Sequence, residues 1–382
     1  MEKVYLDSAA TTQMREEVID RMTSVMKETY GNPSSTHSFG RSAKSLVEQT
    51  RKTVAGYLNV KPAEIIFTSG GTEADNLALN SAVRDLGVQR IITSKIEHHA
   101  VLYTVEQLQD CFEVEVDYVD LDSRGNVKID HLEQLLKSSD KKTLVSLMHV
   151  NNEIGNKLDI KKVGELCKAE NALFHSDCVQ SVGHYDLDFN EIPVDFTAVS
   201  AHKFHGPKGV GFAFIRKNSG LKPLIFGGEQ ERGHRAGTEG VHNIVGLEEA
   251  LKLAMENLKK EQEYIGDLKS HFIQKLKSEI PGVKFNGNCE DPEKSTYTLV
   301  NVCLPVPAEK ALMMLFQLDL KGISCSKGSA CQSGSDKGSH VLNAFLSEED
   351  LQKPSLRFSF SRFNTKEELD YVIATLKEYI ES

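Results

Sequence analysis

Ala172-Leu173-Phe174-His175-Ser176-Asp177-Cys178-Val179-Gln180, followed by Phe196-Thr197-Ala198-Val199-Ser200-Ala201-His202-Lys203-Phe204-His205-Gly206-Pro207, decides how this chain folds. One apolar run leads into Asp177 and a second leads into Lys203. Short apolar runs that stop at polar residues read as buried strands. Two strand ends therefore present a carboxylate and an amine at one edge of a sheet. Taken alone, such groups are most often solvated loop residues, so the surrounding sequence must decide.

Outward from this pair the pattern repeats strand, then helix. Strand-like runs are Glu64–Thr68, Arg90–Ser94, Glu113–Val119, Thr143–His149, Ala172–Ser176, Asp195–Ser200 and Gly209–Ile215. Helical stretches such as Glu73–Asp85 and Lys161–Glu170 separate them. That alternation predicts an α/β domain with a mostly parallel seven-stranded sheet covered by helices on both faces. A long helical stretch from about Asn243 to Glu279 leads away and ends at Pro281-Gly282. The rest reads as a smaller α+β unit. It holds strand Tyr297–Leu304, helix Ala308–Leu320, a Ser/Gly-rich loop over 324–339, strand Leu356–Ser361 and helix Lys366–Tyr379. The expected division is a large domain over 15–255 and a small domain over 1–14 and 256–382, the latter carrying the Ser/Gly loop.

The bulk numbers narrow the class. A chain of 382 residues can build two domains with sizeable cores. The net charge of −10 argues against a general nucleic-acid or membrane-surface binder. No apolar run reaches membrane-spanning length and no basic-then-apolar leader opens the chain. Seven cysteines without framework spacing point to a reducing compartment. The expectation is a cytoplasmic protein without a metal centre, since no CxxC pair or further His/Cys cluster has ligand spacing.

Six more stretches carry chemistry. Ser69-Gly70-Gly71-Thr72-Glu73 follows a strand and opens a helix, a cup of free N–H groups suited to a phosphate. It matches neither GxGxxG nor GxxxxGK[ST], so nucleotide fingerprints are not supported. With Lys203 able to form a Schiff base and Asp177 able to keep a pyridine nitrogen protonated, the cup suits pyridoxal phosphate. His98 could stack on a planar ring and exchange protons. Asn151-Asn152 could reach a phenolic oxygen, although turn-forming Asn is the plainer reading. Arg232-Gly233-His234-Arg235-Ala236-Gly237-Thr238 is a basic glycine-bearing loop that suits an anion or is merely solvated. Cys331 stands among small residues, where exposure beside a cation favours a thiolate; Cys325 is the weaker candidate. In Leu356–Arg362, alternation puts Arg357, Ser359 and Ser361 on one face, and a guanidinium there could grip a carboxylate.

These motifs together resemble the cysteine desulfurase family of fold-type-I pyridoxal-phosphate enzymes, in the iron–sulfur-cluster assembly subgroup. The likeness runs nearly end to end, through Tyr5–Thr12, Gly31–Ser35, Ser69–Asn76, Asn151–Gly155, Ser200–Pro207 and Ser329–Cys331. It implies that Lys203 tethers the cofactor, Asp177 pairs with the pyridine nitrogen, and His98 stacks on the ring. Asn152 and Gln180 would meet the phenolic oxygen, and Asn152 would also face the substrate. Gly71, Thr72, Ser200 and His202 would bind the phosphate. Thr238 would reach the phosphate of a second subunit, which implies a homodimer. Arg357 would hold the carboxylate of L-cysteine, and Cys331 would form a persulfide. A sulfur-acceptor protein, a cluster scaffold or a sulfur carrier, would then take the sulfur.

Three departures stand out. Gln13 replaces a proline common after the Ala-Thr-Thr run, Lys327 replaces a serine usual four residues before the nucleophile, and the chain stops at Ser382, soon after its last helix. The last of these questions docking to a standard scaffold, not catalysis. A selenocysteine lyase, another pyridoxal-phosphate enzyme, or a non-catalytic sulfur-relay protein with the same fold remain open at this point.

Overall fold

A computed structural model describes residues 3–217, 219–327 and 338–381. Twelve strands are found among them: β1 Val4–Tyr5, β2 Ile65–Thr68, β3 Arg90–Thr93, β4 Glu115–Tyr118, β5 Thr143–Ser146, β6 Leu173–Asp177, β7 Phe196–Ser200, β8 Gly211–Ile215, β9 Lys284–Phe285, β10 Leu299–Cys303, β11 Ile323–Ser324 and β12 Ser355–Ser359. Seven form one sheet in the order β2-β8-β7-β6-β5-β3-β4. All pairings from β7 to β4 are parallel, and only β8 runs against its neighbours β2 and β7. The seven expected strands are thus these seven, in a mostly parallel sheet.

Period-2 alternation explains how this sheet is buried on both faces. Ile65, Phe67, Ile92, Val145, Phe174, Val199, Phe212 and Phe214 join one core. Their alternate neighbours Ile66, Ile91, Leu144, Phe196, Ala198, Ala213 and Ile215 join another on the opposite face. Helices 71–86 and 99–112 cover the second face. Helices 38–57, 160–169 and 241–256 cover the first.

A third core belongs to the antiparallel sheet β12-β10-β9. Val300, Val302, Leu356 and Phe358 meet helices 258–279 and 366–381 there. The last helix buries Leu369, Val372, Ile373 and Leu376, the i, i+3, i+4, i+7 stripe of a one-sided helix. Val4 and Leu6 pack in the same core, and β1 pairs in parallel with β11.

The long helical stretch is not continuous. Helices Val241–Glu256 and Leu258–Glu279 meet at Asn257. The Asn257 side-chain amide donates to the Leu253 carbonyl at 2.8 Å, a local bond that competes with the helical ladder.

Candidate active site

The site sits beyond the carboxyl ends of the parallel strands, where open α/β sheets place ligands. A cavity of about 470 Å³ is lined there by Ser69–Glu73 after β2, His98 after β3, Met148 and Asn152 after β5, and Asp177 at the end of β6. Ser200, His202 and Lys203 close it after β7, with Arg357 from β12. Of the expected site residues, Lys203, His98, Gly71, Thr72, Asn152, Asp177, Gln180, Ser200, His202 and Arg357 all line it.

Two of the expectations fall elsewhere. Thr238 lines a separate pocket of about 180 Å³ that shares Ser69 and Gly209 with the first. Cys331 lies outside the described residues. The basic loop does not offer unengaged guanidinium groups. Arg232 pairs with Glu48 at 2.8 Å and Arg235 with Glu73 at 2.9 Å.

Parallel pairing of β6 with β7, in register Asp177↔Ala198, brings the acid and the amine to one end of the sheet. Lys203 completes a 3₁₀ turn, Ala201–Lys203, that directly follows β7. Its Nζ donates to the carbonyls of Ala9 at 2.6 Å and Ala10 at 2.8 Å. Gln180 Nε2 donates to the same Ala9 carbonyl at 2.9 Å. The segment 5–12 thus straps across the cavity. The sequence marked it as a family motif but gave it no role.

Asp177 is buried and accepts only the Val179 N–H, at 2.8 Å, among protein donors to its Oδ1. Burial pushes its carboxyl up to about 6, against the pull of the Val179 hydrogen bond and the Lys203 charge. Behind it lie two more buried acids. Burial lifts Asp75 well above the carboxylate range, with further pushes from Asp177 and Glu97. Burial also lifts Glu97, whose Oε1 accepts the Met148 N–H at 3.0 Å. His175 Nε2 stands 3.2 Å from Asp75 Oδ1, and burial lowers this imidazole to about 3. Both are fully enclosed, so an uncharged His175 beside a protonated Asp75 is the arrangement that burial favours. Sequence reasoning missed this pair. The available signal was period 2 along β6, which puts His175 on the same face as Asp177.

His98 caps helix 99–112, its Nδ1 accepting the Ala100 N–H at 3.1 Å. A neutral ring accepting at Nδ1 carries its proton on Nε2. Burial, then the charges of Lys203 and His340, lower it to about 4. Imidazole here is therefore neutral at ordinary pH, a weak base whose one N–H lies on Nε2.

The cup fits a phosphate. Helix 71–86 starts at Gly70 without a side-chain cap, leaving backbone N–H groups for a ligand. A Cβ on Gly71 would come within 2.5 Å of Val179 Cγ2, and one on Gly70 would lie 3.5 Å from Ser200 Oγ. Glycine is thus required where the backbone closes in, and the Ser200 hydroxyl stands beside it. An amine, a buried acid, a flanking imidazole and an uncapped helix start together match pyridoxal phosphate.

Arg357 is buried, with Nη1 donating to the Asn152 carbonyl at 2.8 Å and Nη2 to Asp7 Oδ1 at 2.7 Å. Among the described residues, its Nε–H has no hydrogen-bond partner. Burial, then the Asp7 charge, push the Cys325 thiol up to about 12, which holds it protonated.

Residues 4–372 match the family described as Aminotransferase class-V. The chain is 41% identical to "Cysteine desulfurase IscS" of Dictyoglomus turgidum, over 99% of this chain and 95% of that protein. The chain belongs to the cysteine desulfurases of the class-V aminotransferase family. Among solved structures, a NifS-like protein superposes with a TM-score of 0.89 at 35% identity, each chain covered in full. A structure titled "SspA in complex with cysteine" gives 0.80 at 30% identity, over 95% of this chain and 100% of that one. The fold expected for this family, fold type I, is the fold found, and pyridoxal 5'-phosphate is the family's cofactor.

The raised carboxyl of Asp177 carries a stability consequence for this desulfurase. The folded chain holds that proton more tightly than the unfolded chain, so the contribution is present below about 3.9 and is lost as pH rises through about 6. Above that, the ionised group costs up to roughly 3 kcal/mol, taking two pKa units at about 1.36 kcal/mol each. Cofactor-free Asp177→Asn should therefore melt at a higher temperature than cofactor-free wild type at pH 8, yet bind pyridoxal phosphate more weakly. Calorimetry at pH 8 checks this; an equal or lower Tm for the variant contradicts it.

Proposed function

We propose that this chain is a dimeric, cytoplasmic cysteine desulfurase that converts L-cysteine to L-alanine and carries the sulfur as a persulfide on Cys331. The observation that carries this reading is the convergence of Lys203, Asp177 and Arg357 on one cavity, in a chain of this family. Pyridoxal phosphate, when bound, supplies an electron sink for the Cα of an amino acid. The residues around it do the rest.

Lys203 is the tether. It reaches the cavity from a turn fixed by β7, and its Nζ is the amine that takes and returns the Cα proton. Asp177 would hold the proton of the pyridine nitrogen, and its burial in a low-dielectric floor would strengthen that pairing. Neutral His98 would wall the ring, with its one proton on Nε2 available to donate. Gly71, Thr72, Ser200 and His202 would hold the phosphate, while Asn152 and Gln180 would serve the ring's oxygen. Arg357 orients the substrate through its carboxylate. The Cys331 thiolate then bonds to the substrate sulfur as the C–S bond breaks, and the carbon is protonated to the methyl of alanine. Its persulfide sulfur passes to an acceptor protein, a cluster scaffold or a sulfur carrier.

Support for a homodimer comes from surface and site alike. Thr238 is outside its own chain's main cavity, as a residue serving a second copy would be. Exposed Tyr30 and Phe39 stack at 5.3 Å, and Phe226 is 73% exposed. Exposed aromatic patches of that kind mark interfaces. The cytoplasmic placement is supported by six described cysteines that are all free thiols. No helix among the described residues is long and apolar enough to cross a membrane.

Two outcomes follow. Lys203→Ala should lose the near-visible absorbance of the tethered cofactor and make no alanine from L-cysteine; alanine production at the normal rate sinks the assignment. Sedimentation of the cofactor-loaded protein should give twice the chain mass of 42.4 kDa. A fully active monomer would refute the shared site.

A further inference from the structure

Arg357 projects from β12 and is 1% exposed, so its guanidinium cannot choose among solvent-facing rotamers. Two contacts set the plane of the group. The Asn152 carbonyl takes Nη1 at 2.8 Å, and Asp7 Oδ1 takes Nη2 at 2.7 Å. The same Asp7 oxygen accepts the Ser326 hydroxyl at 2.8 Å. Ser326 and Arg357 also exchange two backbone hydrogen bonds, at 2.7 and 3.2 Å. Asp7 is itself fixed, bridging to Ser359 and accepting the Ala10 N–H at 2.9 Å on its carbonyl. Asp7, Ser326 and Arg357 thus close a triangle at the cavity wall.

A guanidinium has five N–H donors in a rigid fork. Asp7 and Asn152 take one on each terminal nitrogen, which leaves donors for an incoming carboxylate while the fork is held still. Without Asp7, one terminal nitrogen would lose its anchor.

We propose that Asp7 is a positioning residue of the substrate site, which holds the Arg357 fork in the orientation that receives the substrate carboxylate. This rests on the reading of Arg357 as the carboxylate grip. Asp7 acts through Arg357 and touches no reacting atom. Geometry, more than charge, is its contribution, because its oxygen is the meeting point of two donors.

That distinction makes the proposal testable. Asp7→Ala removes the anchor, so KM for L-cysteine should rise about tenfold or more, the loss of one charge-assisted bond, while kcat falls less. The dissociation constant for L-alanine, read from the cofactor spectrum without turnover, should rise in step. Asp7→Asn keeps an acceptor oxygen in place and should restore both values to near wild type. Asp7→Glu keeps the charge but carries the oxygen one methylene farther, so it should behave like Ala; it also serves if Asp7→Ala does not fold. On top of Arg357→Ala, Asp7→Ala should add little, since the pair acts as a unit. Wild-type constants in Asp7→Ala or Asp7→Glu overturn the proposal, as does a full additional loss in the Arg357→Ala background. An unchanged KM in Arg357→Ala alone overturns the carboxylate-grip reading itself, a result distinct from failure at Asp7.

Discussion

Burying a carboxylate is expensive, and this site buries three around one cavity floor. Asp75, Glu97 and Asp177 are each at most 5% exposed, and burial raises all three. Lys203 is the cation whose charge opposes this at Asp177. The fold tolerates the arrangement because β6 and β7 are locked side by side, with apolar cores on both faces. If Asp177 pairs with the pyridine nitrogen as proposed, that cation would offset part of the cost. Stability without the cofactor and function with it therefore pull in opposite directions at one residue.

The strap 5–12 couples the two halves of the chain at this floor. Leu6 donates to Ser324 and accepts from Ser359, tying the strap to β11 and β12. Farther along, Ala9 and Ala10 accept Lys203, and the Thr12 N–H donates to the His202 carbonyl at 2.9 Å. One short segment thus holds the amine from the large sheet and, through Asp7, the guanidinium from the small one. A ligand that must touch both Lys203 and Arg357 finds their spacing set by about a dozen N-terminal residues.

Much of this was legible in the sequence. Most strands of the large sheet announced themselves because they are short apolar runs buried on both faces and bounded by turns; the edge strand β4, Glu115–Tyr118, is partly exposed and half polar. Lys203, Asp177 and the Gly70-Gly71 cup were readable because each follows such a run directly. Other features were not, because they depend on contacts between distant positions. Asp7 meets Arg357 across 350 residues and Arg51 pairs with Glu231 across 180. No local pattern encodes such pairs. The two-residue strands β1, β9 and β11 are too short for any periodicity, and the break between helices 241–256 and 258–279 spans a single residue, Asn257. His175 was within reach, two residues before Asp177 on the same face of β6, but an enclosed histidine reads as core until Asp75 is seen opposite it.

What separates a desulfurase from every other enzyme on this fold is the second thiol. Cys325 is held as a protonated thiol by burial, and Cys167 and Cys178 are likewise pushed up to about 12. Burial raises Cys289 and Cys303 as well, so five of the described thiols are held protonated; Cys111 is exposed on helix 99–112, and the proposed reading gives the persulfide to Cys331. Mass spectrometry of the cofactor-loaded protein after brief exposure to L-cysteine tests this directly. The account predicts one added sulfur on the peptide that contains Cys331, formed together with alanine and absent from Cys331→Ser. Added sulfur on Cys325 or Cys111 instead, or normal alanine release by Cys331→Ser, would contradict it.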